Sequence, residues 1–327
     1  MNRLMSIAAA AELIRSGALL TVAGPESALD ALPAGQWIGG TIPYFMADTG
    51  GVVSTEGQVF VTILPVGASV TFAHYAADAL HGVVHNGPDN GYSLVIVPAF
   101  STAHRKFAEE ALYDPDAFLK PTVGWVAGVH LFDLGRVTPK VYDGRTCTKY
   151  DDGMVVAHVA LPDGRLASVE IVNIFEPGDG DVLRFSETSF EVSECLVNGV
   201  PTSLAVYVTE KGLTDGKLPL VGNFGGAHLN ASIQAADVAN DKVVLYAPVF
   251  PGVDYRVAKP IANYGESFRA RLQSYNTQGV CFSCNCLLNF LFGELEGQSI
   301  GELYGPVTFG EIAYVLLNQT LVVLYIE

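Results

Sequence analysis

A glycine-rich step, followed after a gap by a run of β-branched and apolar residues, recurs four times along the chain. The four steps occupy residues 35–41, 124–130, 222–228 and 305–312. Repetition in a fixed order predicts one structural unit that is used several times. Glycine beside a strand lets the backbone turn, or lets a ligand or another chain approach closely. Four converging steps would build a pocket lined by backbone, whereas separate steps would be hairpin bends on a duplicated scaffold.

The runs that follow the steps predict where the strands lie. They cover 59–65, 155–161, 243–249 and 320–326, and each is too apolar for an exposed edge. We therefore expect all four strands to be central in their sheets. Strands alternate with helices and hairpin turns, which predicts an α+β fold in two similar halves. Each half would consist of duplicated strand–helix–strand–hairpin units with largely antiparallel or mixed sheets.

The sharpest change in composition lies at residues 175–181, Phe-Glu-Pro-Gly-Asp-Gly-Asp. It predicts a domain boundary near Arg184, with domains at 1–184 and 185–327. Half of the residues are hydrophobic and 16% are charged, which excludes a disordered chain.

Charge and cysteine usage restrict the partners and the compartment. The net charge of −16 and the lack of a basic cluster argue against nucleic-acid binding. No apolar run reaches the length of a membrane span. Five cysteines, three of them between residues 281 and 286, favour a reducing compartment. We therefore expect a cytoplasmic protein.

Polar residues at equivalent offsets in the steps are the first candidates for a site. His130 and His228 each follow a second glycine by two residues, Glu311 follows Gly310, and Thr41 follows Gly40. If the steps converge, these side chains point toward one site. Strand alternation would otherwise place them on the solvent face.

Two further groups offer alternative chemistry. Cys281, Cys284 and Cys286 have a spacing that binds zinc or an iron–sulfur cluster when a fourth ligand is present, although their apolar neighbours also suit buried thiols. Three histidines would share one face if their segment is helical: His74, His81 and His85. They would then be either haem ligands or solvated side chains.

The second half of the chain resembles a known family. Leu-Pro-Leu-Val-Gly at 218–222, Phe-Ser-Cys at 282–284, and Gly-Pro-Val-Thr-Phe-Gly-Glu-Ile at 305–312 with Asn-Gln-Thr at 318–320 resemble the C-terminal FIST domain. The first half, 1–184, is similar to the N-terminal FIST domain, where residues 121–128 stand in the place of one of its blocks. The resemblance therefore spans almost the whole chain. Trp125 replaces a glycine of that block, and Val129 or His130 stands where an aspartate is usual. The step near Gly39 and Gly40 lacks the family's Gly-Glu-Ile ending.

The resemblance implies a sensory protein that binds a small ligand, such as an amino acid or a related carboxylate. Glycine-step N–H groups would receive the carboxylate, Glu311 would pair with an ammonium group, and Trp125 and Phe309 would form a wall. The chain has no recognisable output segment, so a separate signalling protein would be the partner. The candidate ligand-binding residues are Gly39, Gly40, Thr41, Trp125, Gly128, His130, Asn223, Gly225, Gly226, His228, Cys284, Asn285, Thr308, Phe309, Gly310 and Glu311.

Two other functions stay open at this point. One is a hydrolase or transferase that uses Cys284 as the nucleophile and His228 or His130 as the base. The other is a haem-based gas sensor, as in some FIST relatives, with His74, His81, His85 or His228 as the ligand. The leading hypothesis needs no cofactor and no metal.

Overall fold

The computed structural model describes residues 2–54 and 57–327, and its strands greatly outnumber its helices. The fold is a mixed α+β architecture with mixed and antiparallel sheets, as the sequence predicts. The first stretch of chain contains β1 (Asn2–Ser6), α1 (Ile7–Arg15), β2 (Leu20–Gly24), α2 (Glu26–Asp30), β3 (Trp37–Thr41), β4 (Tyr44–Ala47), β5 (Gly50–Val53) and β6 (Gln58–Ile63).

The second stretch has the same order of strands. It contains β7 (Ser69–Tyr75), α3 (Gly82–His85), β8 (Gly91–Pro98), α4 (Thr102–Glu110), β9 (Thr122–Ala127), β10 (Val141–Asp143), β11 (Thr148–Tyr150) and β12 (Met154–Ala160), with short 3₁₀ turns at Ala111–Tyr113 and Leu131–Asp133.

The third stretch follows this order again around a long insertion. Its elements outside the insertion are β13 (Ala167–Asn173), α6 (Tyr264–Gln273), β23 (Val280–Cys286), α7 (Leu287–Phe292), β24 (Gly305–Thr308), β25 (Glu311–Ala313), β26 (Val315–Leu317) and β27 (Thr320–Ile326). The insertion contains β14 (Leu183–Arg184), β15 (Ser189–Val192), β16 (Glu194–Val197), β17 (Val200–Ser203), α5 (Leu204–Glu210), β18 (Leu220–Phe224), β19 (Ala227–Ala231), β20 (Ile233–Asp237), β21 (Lys242–Val249) and β22 (Asp254–Val257).

Three six-stranded sheets share one connectivity. Their orders are β1-β6-β2-β3-β10-β11, β7-β12-β8-β9-β25-β26 and β13-β27-β23-β24-β4-β5. In each sheet the third and fourth strands are the parallel pair, β2–β3, β8–β9 or β23–β24, and a helix joins its two strands. The last two strands are a hairpin from a different stretch of the chain. The sheets do not show the two similar halves that the sequence predicts, because the same connectivity occurs three times.

The repeated steps and runs map onto these sheets. The runs at 59–65, 155–161 and 320–326 form β6, β12 and β27, and each is the second strand of its sheet. The run at 243–249 forms β21, the middle strand of the three-stranded sheet β15-β21-β20. All four strands are therefore central, as predicted. Three of the glycine steps coincide with β3, β9 and β24, whereas the step at 222–228 belongs to the insertion.

The three sheets enclose one large hydrophobic core. Phe60 of the first sheet, Leu94 and Trp125 of the second, and Phe282 and Val322 of the third are buried in it. Separate clusters pack α1 and α2 on the first sheet and α4 on the second. The domain boundary at residue 184 stays a prediction, although the pairs β4–β24 and β9–β25 join residues on its two sides.

Candidate functional site

Three of the four glycine steps meet where β3, β9 and β24 end. The backbone N–H of Gly128 donates to the Thr41 carbonyl at 2.7 Å, and the N–H of Phe309 donates to the Val126 carbonyl at 3.2 Å. The N–H of Val126 in turn donates to the carbonyl of Gly310 at 2.8 Å. The structure therefore brings the backbones of these three glycine steps into contact.

Two glycines permit this close approach. A Cβ on Gly40 would lie 2.6 Å from Ile96 Cγ2, and a Cβ on Gly128 would lie 2.3 Å from the ring of Phe309. Carbon atoms do not approach so closely without displacement, so a side chain at either position would push the strands apart. The two glycines therefore allow the strands to pack together.

The remaining step forms a hairpin turn between β18 and β19. The Asn223 side-chain oxygen accepts a bond from the N–H of Gly226 at 2.8 Å, and Gly225 and Gly226 have φ of 67° and 104°. These values favour glycine in a tight turn. His228 is exposed on the following strand. These four predicted site residues are therefore not brought to the other three steps.

A cleft of about 480 Å³ opens beside Phe309. It lies at the carboxyl ends of the parallel strands β8, β23 and β24, the place where open α/β sheets bind ligands. The segments that enclose it are the start of α4, the β23–α7 junction, the end of β24 and the three-stranded sheet β15-β21-β20 of the insertion. The residues that line it are Ala99, Phe100, Ser101, Thr102, His104, Arg105, Leu131, Leu134, Phe190, Glu191, Gln234, Val244, Leu245, Tyr246, Cys286, Leu287, Leu288, Leu291, Thr308, Phe309 and Asn318.

The walls and the rim of the cleft are mainly apolar. Phe100 is 66% exposed at the rim, and Leu134 and Leu291 are also exposed there. Phe100 has a φ of 66°, an uncommon conformation for a bulky residue, in the turn that joins β8 to α4. Its ring meets that of Phe309 edge to face, with centroids 6.3 Å apart. An apolar ligand entering here would cover side chains that water now contacts.

Three polar side chains form the floor of the cleft. The Thr308 hydroxyl donates to the Gly310 carbonyl at 3.0 Å, and the Asn318 side-chain oxygen accepts from Ser232. Cys286 is the last residue of β23 and the N-cap position of α7. All three are buried, so the floor is rigid and mostly satisfied by protein partners.

Glu311 lies directly behind this floor and is fully buried. One carboxyl oxygen accepts bonds from the N–H and the hydroxyl of Thr320, at 3.3 and 2.8 Å. The other oxygen, Oε1, has no partner among the described residues. Burial raises the pKa of Glu311 to about 8, against the opposing effect of hydrogen bonds from Thr320 and of the neighbouring Cys286 and Thr308. The group is therefore mainly a neutral carboxylic acid at pH 7.

Three other predicted residues lie in the core or behind the floor. Trp125 stacks on Phe282 with ring centroids 5.8 Å apart, and Asn285 accepts a bond from Asn289 at 2.9 Å. The Cys284 thiol donates to the Gly124 carbonyl at 3.2 Å, and burial raises the pKa of this thiol well above its usual value. None of the three lines the cleft, so the predicted Trp125 wall and the Cys284 nucleophile do not match their positions.

A smaller cavity of about 210 Å³ lies at the end of the first sheet. It contains Thr41, Gly128 and His130, together with Glu26 at the start of α2. The His130 ring stacks on Tyr44 with centroids 5.6 Å apart, and its Nδ1 accepts from the N–H of Phe132. The predicted residues are thus divided between two cavities: His130 and Thr41 in the smaller, Thr308 and Phe309 in the larger.

The alternative metal and haem ligands are not assembled into a centre. In the parts of the chain that the structure describes, no group of three or more His, Cys, Asp or Glu side chains is arranged to hold a metal ion. His74 lies in β7 and stacks on Tyr150, so it does not share a helical face with the exposed His81 and His85.

Sequence reasoning missed the α4 side of the cleft. His104 lies in the first turn of α4 and is half-buried, and its buried Nε2 atom has no hydrogen-bond partner among the described residues. Burial lowers the pKa of His104 to about 4, and the adjacent Arg105 adds to this effect. The signal was present: an apolar run ends at Pro98, and Ser101 then caps a helix by accepting from the His104 N–H at 3.1 Å.

Comparison with known proteins places the chain in a family but names no activity. A model of DUF6976, a family of unknown function, matches residues 5–327. The sequence has no significant match among curated proteins. The described residues contain no helix that is long and apolar enough to cross a membrane.

Proposed function

We propose that this chain, which belongs to the DUF6976 family of unknown function, binds a small molecule with an apolar body and one polar group. The observation that carries the proposal is the cleft beside Phe309. Its volume of about 480 Å³ lies in the range of small-molecule sites, and apolar walls with a few placed polar groups are typical of such sites.

The ligand that fits this lining best is an apolar amino acid or a related carboxylate. Arg105 brings a guanidinium to the cleft, 5.8 Å from the centroid of the Phe190 ring. A carboxylate can bind a guanidinium through two parallel hydrogen bonds. The Arg105–Glu109 ion pair at the surface is a weak competitor, because exposed pairs contribute little. The aliphatic or aromatic part of the ligand would then lie against Leu288 and Phe309.

A sensory role is part of the proposal and is supported by the resemblance to FIST domains. Occupancy of the cleft would alter the contact between the insertion and the repeated sheets, since both line it. A separate signalling protein would read that change.

The test is isothermal titration with phenylalanine, 3-phenylpropionate and hexanoate, with succinate as a polar comparison. Leu291→Gln introduces a polar group at the rim, where Leu291 is 42% exposed, and Leu196→Gln is the matched control at 39% exposure on β16. We expect Leu291→Gln to weaken binding about tenfold, which corresponds to about 1.4 kcal/mol, and Leu196→Gln to leave it unchanged. Equal affinities of the two variants, or no binding by any apolar carboxylate, would contradict the proposal.

A further inference from the structure

The thiol of Cys286 combines three features that no other cysteine of the described chain shares. It lies on the floor of the cleft, it ends a strand that leads directly into a helix, and it adjoins the Glu311 carboxyl. Cys284 faces the Gly124 carbonyl inside the core, and Cys147 and Cys195 lie on other strands or turns.

The Glu311 carboxyl is placed to exchange a proton with this thiol. Its Oε2 atom is fixed by Thr320, whereas Oε1 is buried and has no partner among the described residues. Leu321 pairs with Asn285 in the antiparallel register of β23 and β27, so Thr320 and the carboxyl it holds lie at the Cys286 end of β23. The carboxyl also raises the pKa of the Cys286 thiol.

We propose that Cys286 covalently captures an apolar α,β-unsaturated carbonyl compound in the cleft, with Glu311 as the group that moves the proton. The inference rests on the proposed function for the location of the ligand, and it assigns that ligand a reactive class.

The step balances without any other reactant. The sulfur forms a bond to the β-carbon of the compound as its S–H proton passes to Glu311. The electron pair of the carbon–carbon double bond shifts toward the carbonyl, and the α-carbon then takes the proton back from Glu311. The product is a saturated thioether, and Glu311 returns to its initial state.

An addition suits this site better than an acyl transfer. Acyl transfer needs donors for the carbonyl oxygen that becomes an oxyanion, and a way out for a leaving group. An addition expels nothing, and the apolar walls formed by Leu288, Leu291 and Phe309 favour an aliphatic chain on the electrophile.

The rate of capture should rise with pH. Burial and the adjacent carboxyl raise the pKa of the Cys286 thiol well above its usual value, so the sulfur is protonated and slow to react near neutrality. Loss of the Glu311 proton on raising the pH creates the base. Three further titratable neighbours, Cys284, Tyr246 and Tyr264, are buried or partly buried, and burial raises their pKa values as well.

The experiment treats the intact protein with trans-2-octenal, followed by borohydride reduction, intact-mass measurement and peptide mapping. Cys147 is a free, exposed thiol, so all variants are made in the Cys147→Ser background. In that background we expect one cysteine adduct, located on Cys286 and absent from Cys286→Ser. Cys281→Ser is the matched control, because Cys281 lies at the other end of β23, is half-buried and does not line the cleft. This control should react like the unmodified protein. An adduct that persists in Cys286→Ser would overturn the assignment.

Glu311→Gln tests the role of the carboxyl. A general base typically contributes a factor of 10² or more, so we expect at least about a tenfold fall in rate at pH 9. If the carboxyl acts only through its charge, the amide will lower the thiol pKa and the variant will react as fast or faster, which refutes the proton-transfer role.

A saturated analogue separates this inference from the proposed function. Octanal has the same chain but no conjugated double bond. Binding of octanal by Cys286→Ser, together with no octenal adduct on Cys286 in the protein that retains it, would overturn the capture step and leave the proposed function standing. An adduct on Cys286 without measurable binding of octanal or any apolar carboxylate would count against the proposed function.

Discussion

Replacement of Glu311 by glutamine should change how the stability of the protein depends on pH. The carboxyl has a pKa of 4.5 in the unfolded chain and of about 8 in the folded protein, because burial disfavours its charged form. Below pH 4.5 the group is neutral in both states and has no effect. Between pH 4.5 and 8 the unfolded chain loses the proton while the folded protein keeps it, so the free energy of unfolding falls as the pH rises.

The size of the effect follows from the shift. One pKa unit corresponds to about 1.4 kcal/mol, so the buried carboxyl costs about 3 kcal/mol of stability at pH 7, about 4 kcal/mol at pH 8 and about 5 kcal/mol above pH 9. Glutamine keeps an acceptor for the Thr320 bonds but does not ionise in either state. The difference in unfolding free energy between Glu311→Gln and the unmodified protein should therefore increase toward alkaline pH, by about 1.4 kcal/mol per unit.

Urea denaturation at pH 5, 6, 7 and 8 measures this difference, and the m-value shows whether both proteins unfold alike. Glu187→Gln is the control, because Glu187 is exposed and its replacement should leave the free energy of unfolding nearly unchanged. Curves for Glu311→Gln and the unmodified protein that stay parallel over this range would refute the reasoning, because they would mean that Glu311 ionises alike in the folded and unfolded states.

Three further predictions address the strand ends, the rim and the histidines. Gly128→Ala places a Cβ 2.3 Å from the Phe309 ring, so we expect the free energy of unfolding to fall by about 1–3 kcal/mol. The variant should also bind 3-phenylpropionate more weakly. Unchanged stability in urea denaturation would contradict the packing argument. Phe100→Ser removes a 66% exposed ring from the rim, so it should weaken that binding with little change in melting temperature, and a large drop in melting temperature would show a structural role instead. His158 is buried on β12, and burial lowers its pKa from 6.5 to about 4. Its neutral imidazole therefore contributes to stability above pH 6.5, and this contribution is lost as the pH falls toward 4. His158→Gln should flatten this part of a plot of melting temperature against pH, and an equally steep plot would contradict the prediction.

The strands and their central positions were predictable because long β-branched runs report burial directly. The run at 320–326, for example, is buried throughout as β27, between β13 and β23. The number of units was not predictable in the same way. The hairpins β4–β5, β10–β11 and β25–β26 each leave their own stretch of chain and pair with another sheet. Sequence order contains no sign of such an exchange. The sequence pattern therefore predicts two halves, whereas the sheets repeat one connectivity three times.

The candidate site was predicted only in part, for a related reason. Thr308 and Phe309 were candidates because they lie in a glycine step, and both residues line the cleft. The equivalent offsets selected His228, which lies on an exposed hairpin, and Glu311, which is buried behind the floor. A glycine pattern reports a bend or a close approach, and it does not distinguish the two. The α4 side was missed because its polar atoms come from a helix start rather than from a glycine.

The cleft is lined by the repeated sheets on one side and by the insertion on the other, and the two sides would contribute differently to ligand specificity. Gly40 packs closely on Ile96 and Gly128 on Phe309, and the cleft lies to one side of these strand ends. On that side the repeated sheets supply the floor, with Cys286 and Thr308. The opposite wall comes from the insertion, through Phe190 on β15 and the start of β21. Changes in the insertion would therefore alter the shape of the ligand that fits, while the floor and the buried carboxyl behind it keep the same chemistry.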